Sequence, residues 1–392
     1  MARLSLGMTM ERIYLDHNAT TPLDPRVLEA MRPWLEGRFG NASSLHWFGQ
    51  RARAAVEDAR AQVAELVGAS PAEIVFTSGG TEADNLALSG GAAAASAARR
   101  TILVSAIEHP AVLSTAKALE ARGFAIRTIR VTSEGRIDEA DLRGQLDETC
   151  ALVSLMLANN ETGVLQPVAE AAALAHGQGA VVHCDAVQAV GRVRVDVAAL
   201  GCDLLSLSGH KIYGPQGVGA LYVRRGTAMQ ALLRGGSQER NRRAGTENVA
   251  GVVGLGAAAA LAGASLAEEA SRLADLRDRL EARLMTVPEA RVNGGGPRLP
   301  NTTNVSFGTR DAVPLLMALD LAGVAVSTGA ACAAGAAEPS HVLLAMNLPR
   351  DRVQASLRFS LGRGTTVEDI DRAAQLVAQA VERSCRSRSD AV

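Results

Sequence analysis

Residues 151–163 read ALVSLMLANNETG, seven residues that are apolar but for one serine and that stop at a polar cluster. A strand with one wet face alternates apolar and polar residues, so a run apolar on both faces belongs to a strand covered on both sides, as in a parallel sheet between helices. Runs of the same kind recur as IVFTS (74–78), TILVS (101–105), AIRTIRV (125–131), AVVHCD (180–185), DLLSLS (203–208) and ALYV (220–223), with longer helical patterns between them. That rhythm predicts an α/β fold with a mainly parallel sheet between residues 73 and 223. Several runs end in polar clusters, TSGGTE, SAIEHP, LANNETG, HCDAVQ and LSGHK, and ligands of open α/β sheets collect at such carboxyl ends.

The helical pattern SLAEEASRLADLRDRLEARLMTV (265–287) follows the sheet region and is expected to join it to a smaller domain, with the break near residue 265. Beyond it NTTNVSF, VAVST and SLRFSL are expected as strands and residues 367 to about 383 as a closing helix, with a frayed tail. The expected division is an N-terminal segment 1–25 joining the small domain, a large domain 26–265 and a small α+β domain 266–392.

The 392 residues allow a sizeable core plus a smaller one, built on Ala, Val and Leu because aromatics are only 3% of the chain. Forty basic and forty-one acidic side chains cancel to a net charge of −1, which gives no global field for nucleic acid or an anionic membrane. Five cysteines (Cys150, Cys184, Cys202, Cys332, Cys385) without a C-x-x-C pair argue against a disulfide framework or structural zinc. No signal-like start and no apolar stretch of about 18 uninterrupted residues stand out, so a cytoplasmic protein is expected. The alanine-rich stretches at 92–98 and 257–262 read as helices packed closely on a neighbour.

Three segments carry chemistry. SGHKIYGPQGVG (208–219) sets Lys211 just after an apolar strand, where a crevice can desolvate its amine and make it nucleophilic; taken alone it reads as a surface lysine. HCDAVQ (183–188) puts Asp185 at a strand end, where it is either a helix cap or a buried carboxylate needing a cation such as a protonated pyridine nitrogen. TSGGTEADNLAL (77–88) joins strand to helix through Gly79, Gly80 and Thr81, as a phosphate cradle or as a capping box on Thr81.

Together with YLDHNATTP, FGNASS, EHPAVL, ANNETG, RAGTEN, STGAAC, EPSHVL and SLRFSLGR, these segments resemble the cysteine desulfurases, within the class V aminotransferase group of fold type I pyridoxal-phosphate enzymes. The resemblance runs nearly end to end. It implies a large domain with a mainly parallel seven-stranded sheet and a smaller α+β domain. It also implies pyridoxal 5′-phosphate in Schiff-base linkage to Lys211, Asp185 on the ring nitrogen, Gln188 on the ring hydroxyl and His109 stacked on the ring. Gly80, Thr81, Ser208 and His210 would hold the phosphate, with Thr246 reaching that of the neighbouring subunit in a homodimer. Asn160 would touch the ring, and Asn41, Asn160 and Arg358 would hold the substrate.

The subgroup rests on Cys332, in a loop of small residues (STGAACAAGAAEPSHVL, 327–343) that can bring a thiol to a bound substrate. The resemblance implies that L-cysteine is the substrate, L-alanine the product and a persulfide on Cys332 the sulfur carrier, passed on to an acceptor such as an iron–sulfur scaffold. A metal enters only through Cys332, as a ligand to a cluster shared with a partner. Many relatives carry serine where Ala330 stands. The other four cysteines read as structural. Two readings compete: an aminotransferase, epimerase or lyase of the same fold with Cys332 incidental, and a non-catalytic sulfur-transfer scaffold, which predicts a damaged catalytic set.

Overall fold

The computed structural model describes residues 12–308, 311–328 and 339–389. The chain enters through β1 (Ile13–Tyr14) and two helices, α1 (Pro25–Glu36) and α2 (Trp47–Val67), and then builds a seven-stranded sheet. Its strands are β2 (Ile74–Thr77), β3 (Thr101–Ser105), β4 (Ala125–Ile129), β5 (Cys150–Met156), β6 (Val181–Asp185), β7 (Leu204–Ser208) and β8 (Gly219–Val223). The order is β2-β8-β7-β6-β5-β3-β4, and only β8 runs antiparallel to its neighbours. Crossovers pass through α3 (Gly80–Ala94), α4 (Pro110–Glu120), α5 (Glu139–Gln145), α6 (Val168–Gly177) and the short α7 (Val197–Leu200). All residues of β2, β3, β5, β7 and β8 are buried, which is why these strands read as unbroken apolar runs. Because β2, β3, β5, β6 and β7 are parallel, their carboxyl ends meet on one edge.

Helix α8 (Val249–Leu284) runs unbroken across residue 265, where a break between the two regions is expected, so the helix itself spans that position. Its first half packs on α1 and α2 in the core under the sheet, through Leu255, Ala259 and Ala262, and its second half contributes Leu273, Leu276 and Leu280 to a separate apolar cluster. Glycine makes the first contact possible, since a Cβ on Gly256 would lie 2.6 Å from the Cα of Ala59 on α2. α8 is also the one described helix long and apolar enough to cross a membrane, although much of its apolar stretch is buried against those helices.

The second cluster collects Ile13 and Leu15 from the chain's start and the antiparallel sheet of β9 (Ala290–Val292), β10 (Thr302–Phe307) and β12 (Ser356–Ser360). β11 (Val324–Ala325) pairs with β1, and α9 (Ala312–Leu321), α10 (His341–Ala345), α11 (Arg350–Gln354) and α12 (Val367–Ser389) complete the region. The closing helix therefore extends six residues past the expected end at 383, through most of the stretch read as frayed.

Candidate active site

The carboxyl ends of β3, β5, β6 and β7 and the N-terminus of α3 enclose a cavity of about 200 Å³. Its walls hold nine of the residues singled out from the sequence: Gly80, Thr81, His109, Asn160, Asp185, Gln188, Ser208, His210 and Lys211, joined by Asp84, Met156, Ala158 and Val187. Register explains the convergence. Met156, Asp185 and Ser206 are Cα partners across β5, β6 and β7, so the turns that follow each strand open on the same side.

Lys211 lies in a single 3-10 turn after β7, and its Nζ donates to the backbone oxygens of Asn18 and Ala19 (2.8 Å for Ala19). Burial, reinforced by the positive charges of Arg192 and Arg358, lowers its amine to about 7, so at neutral pH much of it is the free nucleophile. The surface reading of this lysine is thereby set aside.

Asp185 ends β6, and its Oδ1 accepts from the N–H of Val187 at 2.9 Å. Burial raises its pKa, while His109 and Lys211 pull it back. Two further buried acids stand close behind it: Asp84 and Glu108 are both pushed well up by burial and by the charge of Asp185. Glu108 Oε1 accepts from Met156 N at 2.8 Å, while Oε2 of Glu108 and Oδ1 of Asp84 have no hydrogen-bond partner, although His183 Nε2 stands 3.5 Å from the latter. Three carboxyls this close disfavour one another's charge, and Asp185 is the one that the Val187 N–H, His109 and Lys211 pull back toward ionisation. His183, fully buried between Ser154 (2.8 Å) and Ser206 (3.0 Å), is held neutral by desolvation that lowers it to about 3.

Helix α3 starts with no side-chain cap: its N-cap is Gly79, and Glu82, not Thr81, reaches back to the N–H of Ser78 at 2.7 Å. The capping-box reading of Thr81 is corrected accordingly. The amides of the first turn stay available to an anion, with Ser208 and His210 facing the same cavity. His210 is fixed by Thr20 at 3.1 Å and lowered to about 4, chiefly by burial, so it is neutral. His109 caps α4, its Nδ1 accepting from Ala111 N at 3.1 Å, which puts the imidazole proton on Nε2. Desolvation lowers its pKa against the opposing pull of Asp185.

Arg358 is buried on β12, with Nη1 donating to Asn160 O at 3.0 Å and Nη2 to Asp16 Oδ1 at 2.7 Å, while Nε has no partner. Asn160 thus joins it to the cavity. Asn41 is not brought there: it is exposed and its Oδ1 accepts from Ser43 N at 2.9 Å, so a clamp of Asn41 with Arg358 does not form within one chain. Thr246 is likewise exposed and away from the cavity, on a stretch anchored by Arg243–Glu82 (2.8 Å) and by the buried Arg60–Glu239 pair.

Cys332 and Ala330 lie outside the described residues, but both flanks of their segment are tied to the site. Ser327 N donates to Arg358 O at 3.2 Å and accepts back through its own oxygen at 2.6 Å. On the far side His341 Nε2 bonds Glu108 O at 3.0 Å, and Ser340 donates to Glu161. Cys150, Cys184 and Cys202 are buried, and desolvation raises all three, Cys150 to about 11 and Cys202 to about 12, which makes them inert. The side chain of Cys385 lies outside the described residues. No group of three or more His, Cys, Asp or Glu suited to a metal ion occurs among the described residues.

Sequence reasoning missed Asp84, Glu108, Arg192 and Asp16. Each sits within or beside a motif, yet only burial distinguishes a pocket acid from a capping one.

Comparison with known proteins adds three kinds of similarity. Residues 13–373 match the family model Aminotransferase class-V. A cysteine desulfurase of Enterobacter agglomerans is 48% identical over 377 residues, 95% of this chain and 94% of that protein. Among solved structures, a NifS-like protein superposes with a TM-score of 0.89 at 37% identity, covering 95% of this chain and 99% of the other. SspA in complex with cysteine superposes with a TM-score of 0.80 at 33% identity, covering 89% and 98%.

Proposed function

This chain belongs to the class-V aminotransferase family, among its pyridoxal-phosphate-dependent cysteine desulfurases; from that premise we propose that Lys211 holds the cofactor and that Cys332 takes the sulfur of L-cysteine as a persulfide. The cavity suits the cofactor part by part. The uncapped start of α3 with Thr81, Ser208 and His210 suits its phosphate, Gln188 its ring hydroxyl and the low-pKa amine of Lys211 its aldehyde. Asp185 is the sharpest fit, because burial penalises its charged form and a protonated ring nitrogen is the cation that would offset that penalty.

Pyridoxal phosphate, when bound, supplies an electron sink for the charge left at the substrate Cα. Arg358 holds the substrate carboxylate. Lys211, displaced by the substrate amine, is a base of suitable strength to take the Cα proton. His109, with its proton on Nε2, handles protons near the substrate sulfur. The Cys332 thiolate attacks that sulfur, the carbon–sulfur bond breaks, and the three-carbon fragment regains protons and leaves as L-alanine.

The observation that carries this reading is the pinning of both flanks of the Cys332 segment, Ser327 on Arg358 and His341 on the carbonyl beside His109. Cys332 lies four chain steps beyond Thr328, a reach of at most about 14 Å. The same reading implies a homodimer, in which the exposed Thr246 serves the neighbouring phosphate and a second copy covers apolar surface such as Leu35, Phe39, Leu45, Trp47 and Phe48. It also implies a cytoplasmic setting and an acceptor such as an iron–sulfur scaffold. The test is mass spectrometry of the cofactor-loaded protein after L-cysteine without reductant: the peptide containing Cys332 gains one sulfur atom, and sulfur found on none of the cysteines refutes the carrier role.

A further inference from the structure

Arg192 is buried, 7% exposed, yet among the described residues no carboxylate lies within ion-pair distance of it. Its N–H groups go instead to three oxygens: the backbone oxygen of Gln188 at 2.8 Å, the side-chain Oε1 of the same Gln188, and His17 O at 3.1 Å. A lone buried cation is costly and persists where the surroundings use it. Two features show what this one touches. Arg192 can only donate, so it holds the Oε1 end of the Gln188 amide toward itself and turns the N–H groups away, and Nε2 donates to Asn18 O at 3.0 Å. That same carbonyl accepts from Nζ of Lys211, and Lys211 and Arg192 share the wall of a small cavity of about 20 Å³.

We propose that Arg192 is a positioning residue of the site, fixing the carboxamide of Gln188 as a donor toward the cofactor pocket and setting an unneutralised positive charge behind Lys211. The proposal rests on the reading of Lys211 and Gln188 as cofactor ligands. A Gln188 locked as a donor favours an acceptor or anionic ring oxygen. The charge favours the neutral amine of Lys211, together with burial, which is the larger influence. Other groups facing Lys211 pull both ways: Arg358 from β12 in the same direction, Asp16 and Asp185 in the opposite one, with His17, His109 and His210 around the cavities.

The chain has only two lysines, exposed Lys117 and Lys211, so reductive ¹³C-methylation of the full-length, cofactor-free Lys117→Arg protein gives a single lysine signal to titrate by NMR. Arg192→Met removes charge and donor, whereas Arg192→Gln keeps a donor for Gln188 Oε1 without the charge. In both, the Lys211 midpoint rises by on the order of one pH unit. Cofactor release, followed by loss of the visible band without L-cysteine, is faster in Arg192→Met and Gln188→Leu, no faster in the double variant than in the quicker single one, and near wild type in Arg192→Gln. An unmoved midpoint in both variants overturns the assignment of charge, and additive release rates overturn the positioning of Gln188. If Arg192→Met does not fold, the midpoint in Arg192→Gln decides the first point, and its release rate, compared with that of Gln188→Leu, decides the second. Neither readout uses L-cysteine, so failure of desulfuration is seen separately.

Discussion

Nη2 of Arg358 donates to Oδ1 of Asp16 at 2.7 Å, so the arginine assigned to the substrate's carboxylate already holds one. With Nε free, an incoming carboxylate either displaces Asp16 or shares the fork. Arg358→Lys keeps the charge and loses the fork; steady-state kinetics are expected to show KM for L-cysteine rising roughly tenfold or more with the visible band unchanged. Arg358→Ala also strands Asp16 and the Asn160 carbonyl, at a cost of ~2–3 kcal/mol in denaturant unfolding.

The amine of Lys211 titrates near 7 when folded and near the ordinary 10.5 when unfolded. Between those values the unfolded chain binds more protons, so this group's destabilising effect is full below pH 7 and fades as pH rises through the window. Melting curves of the cofactor-free chain are expected to show Lys211→Met more stable by roughly 3 °C near pH 7.5, with the gap shrinking steadily and closing only near the unfolded value of 10.5.

Burial pushes the Glu108 carboxyl well up and so favours its neutral form, and Gln at this position still accepts from Met156 N. Glu108→Gln is expected to keep activity within about threefold and to lose less than about 1 kcal/mol. Because the raised pKa means the folded state holds a proton that the unfolded state releases, wild-type stability falls as pH rises above the ordinary carboxyl value, and the glutamine variant escapes that fall. Asp185→Asn, by contrast, is expected to reduce turnover by roughly a hundredfold or more with Lys211 still able to hold the cofactor.

Glu239 takes both Nη atoms of buried Arg60 at 2.8 Å and the N–H of Phe76 at 2.9 Å. It does so from a left-handed backbone (φ 46°), just before the stretch that carries Thr246. Glu239→Ala leaves the buried guanidinium with only the half-exposed Glu57, 3.1 Å from Nε, as a carboxylate partner, and is expected to cost about 3 kcal/mol in urea unfolding, with cofactor affinity falling as the Thr246 stretch loosens.

The sheet was legible because strands buried on both faces cannot disguise themselves as anything amphipathic, as residues 151–157 illustrate. The start of α8 was not. Its first half is Gly, Ala and Val without a charged stripe, and the shift between cores, from Ala262 to Leu273, happens inside one helix where no turn residue marks it. Lys211, Asp185 and their neighbours were readable through motifs at strand ends. Asp84, Glu108 and Arg192 were not, since their roles come from burial that only the assembled sheet and helices create. Asn41 and Thr246 were named from motifs, but one chain's fold keeps both on its surface.

The most direct measurement compares sulfide and alanine release from L-cysteine, with a thiol reductant present, in cofactor-loaded wild type, Cys332→Ala and Lys211→Ala. Wild type is expected to release both products, Cys332→Ala to keep its visible band but lose sulfide release, and Lys211→Ala to lose the band and both products. Sulfide release by Cys332→Ala at the wild-type rate would contradict the transfer of sulfur to Cys332.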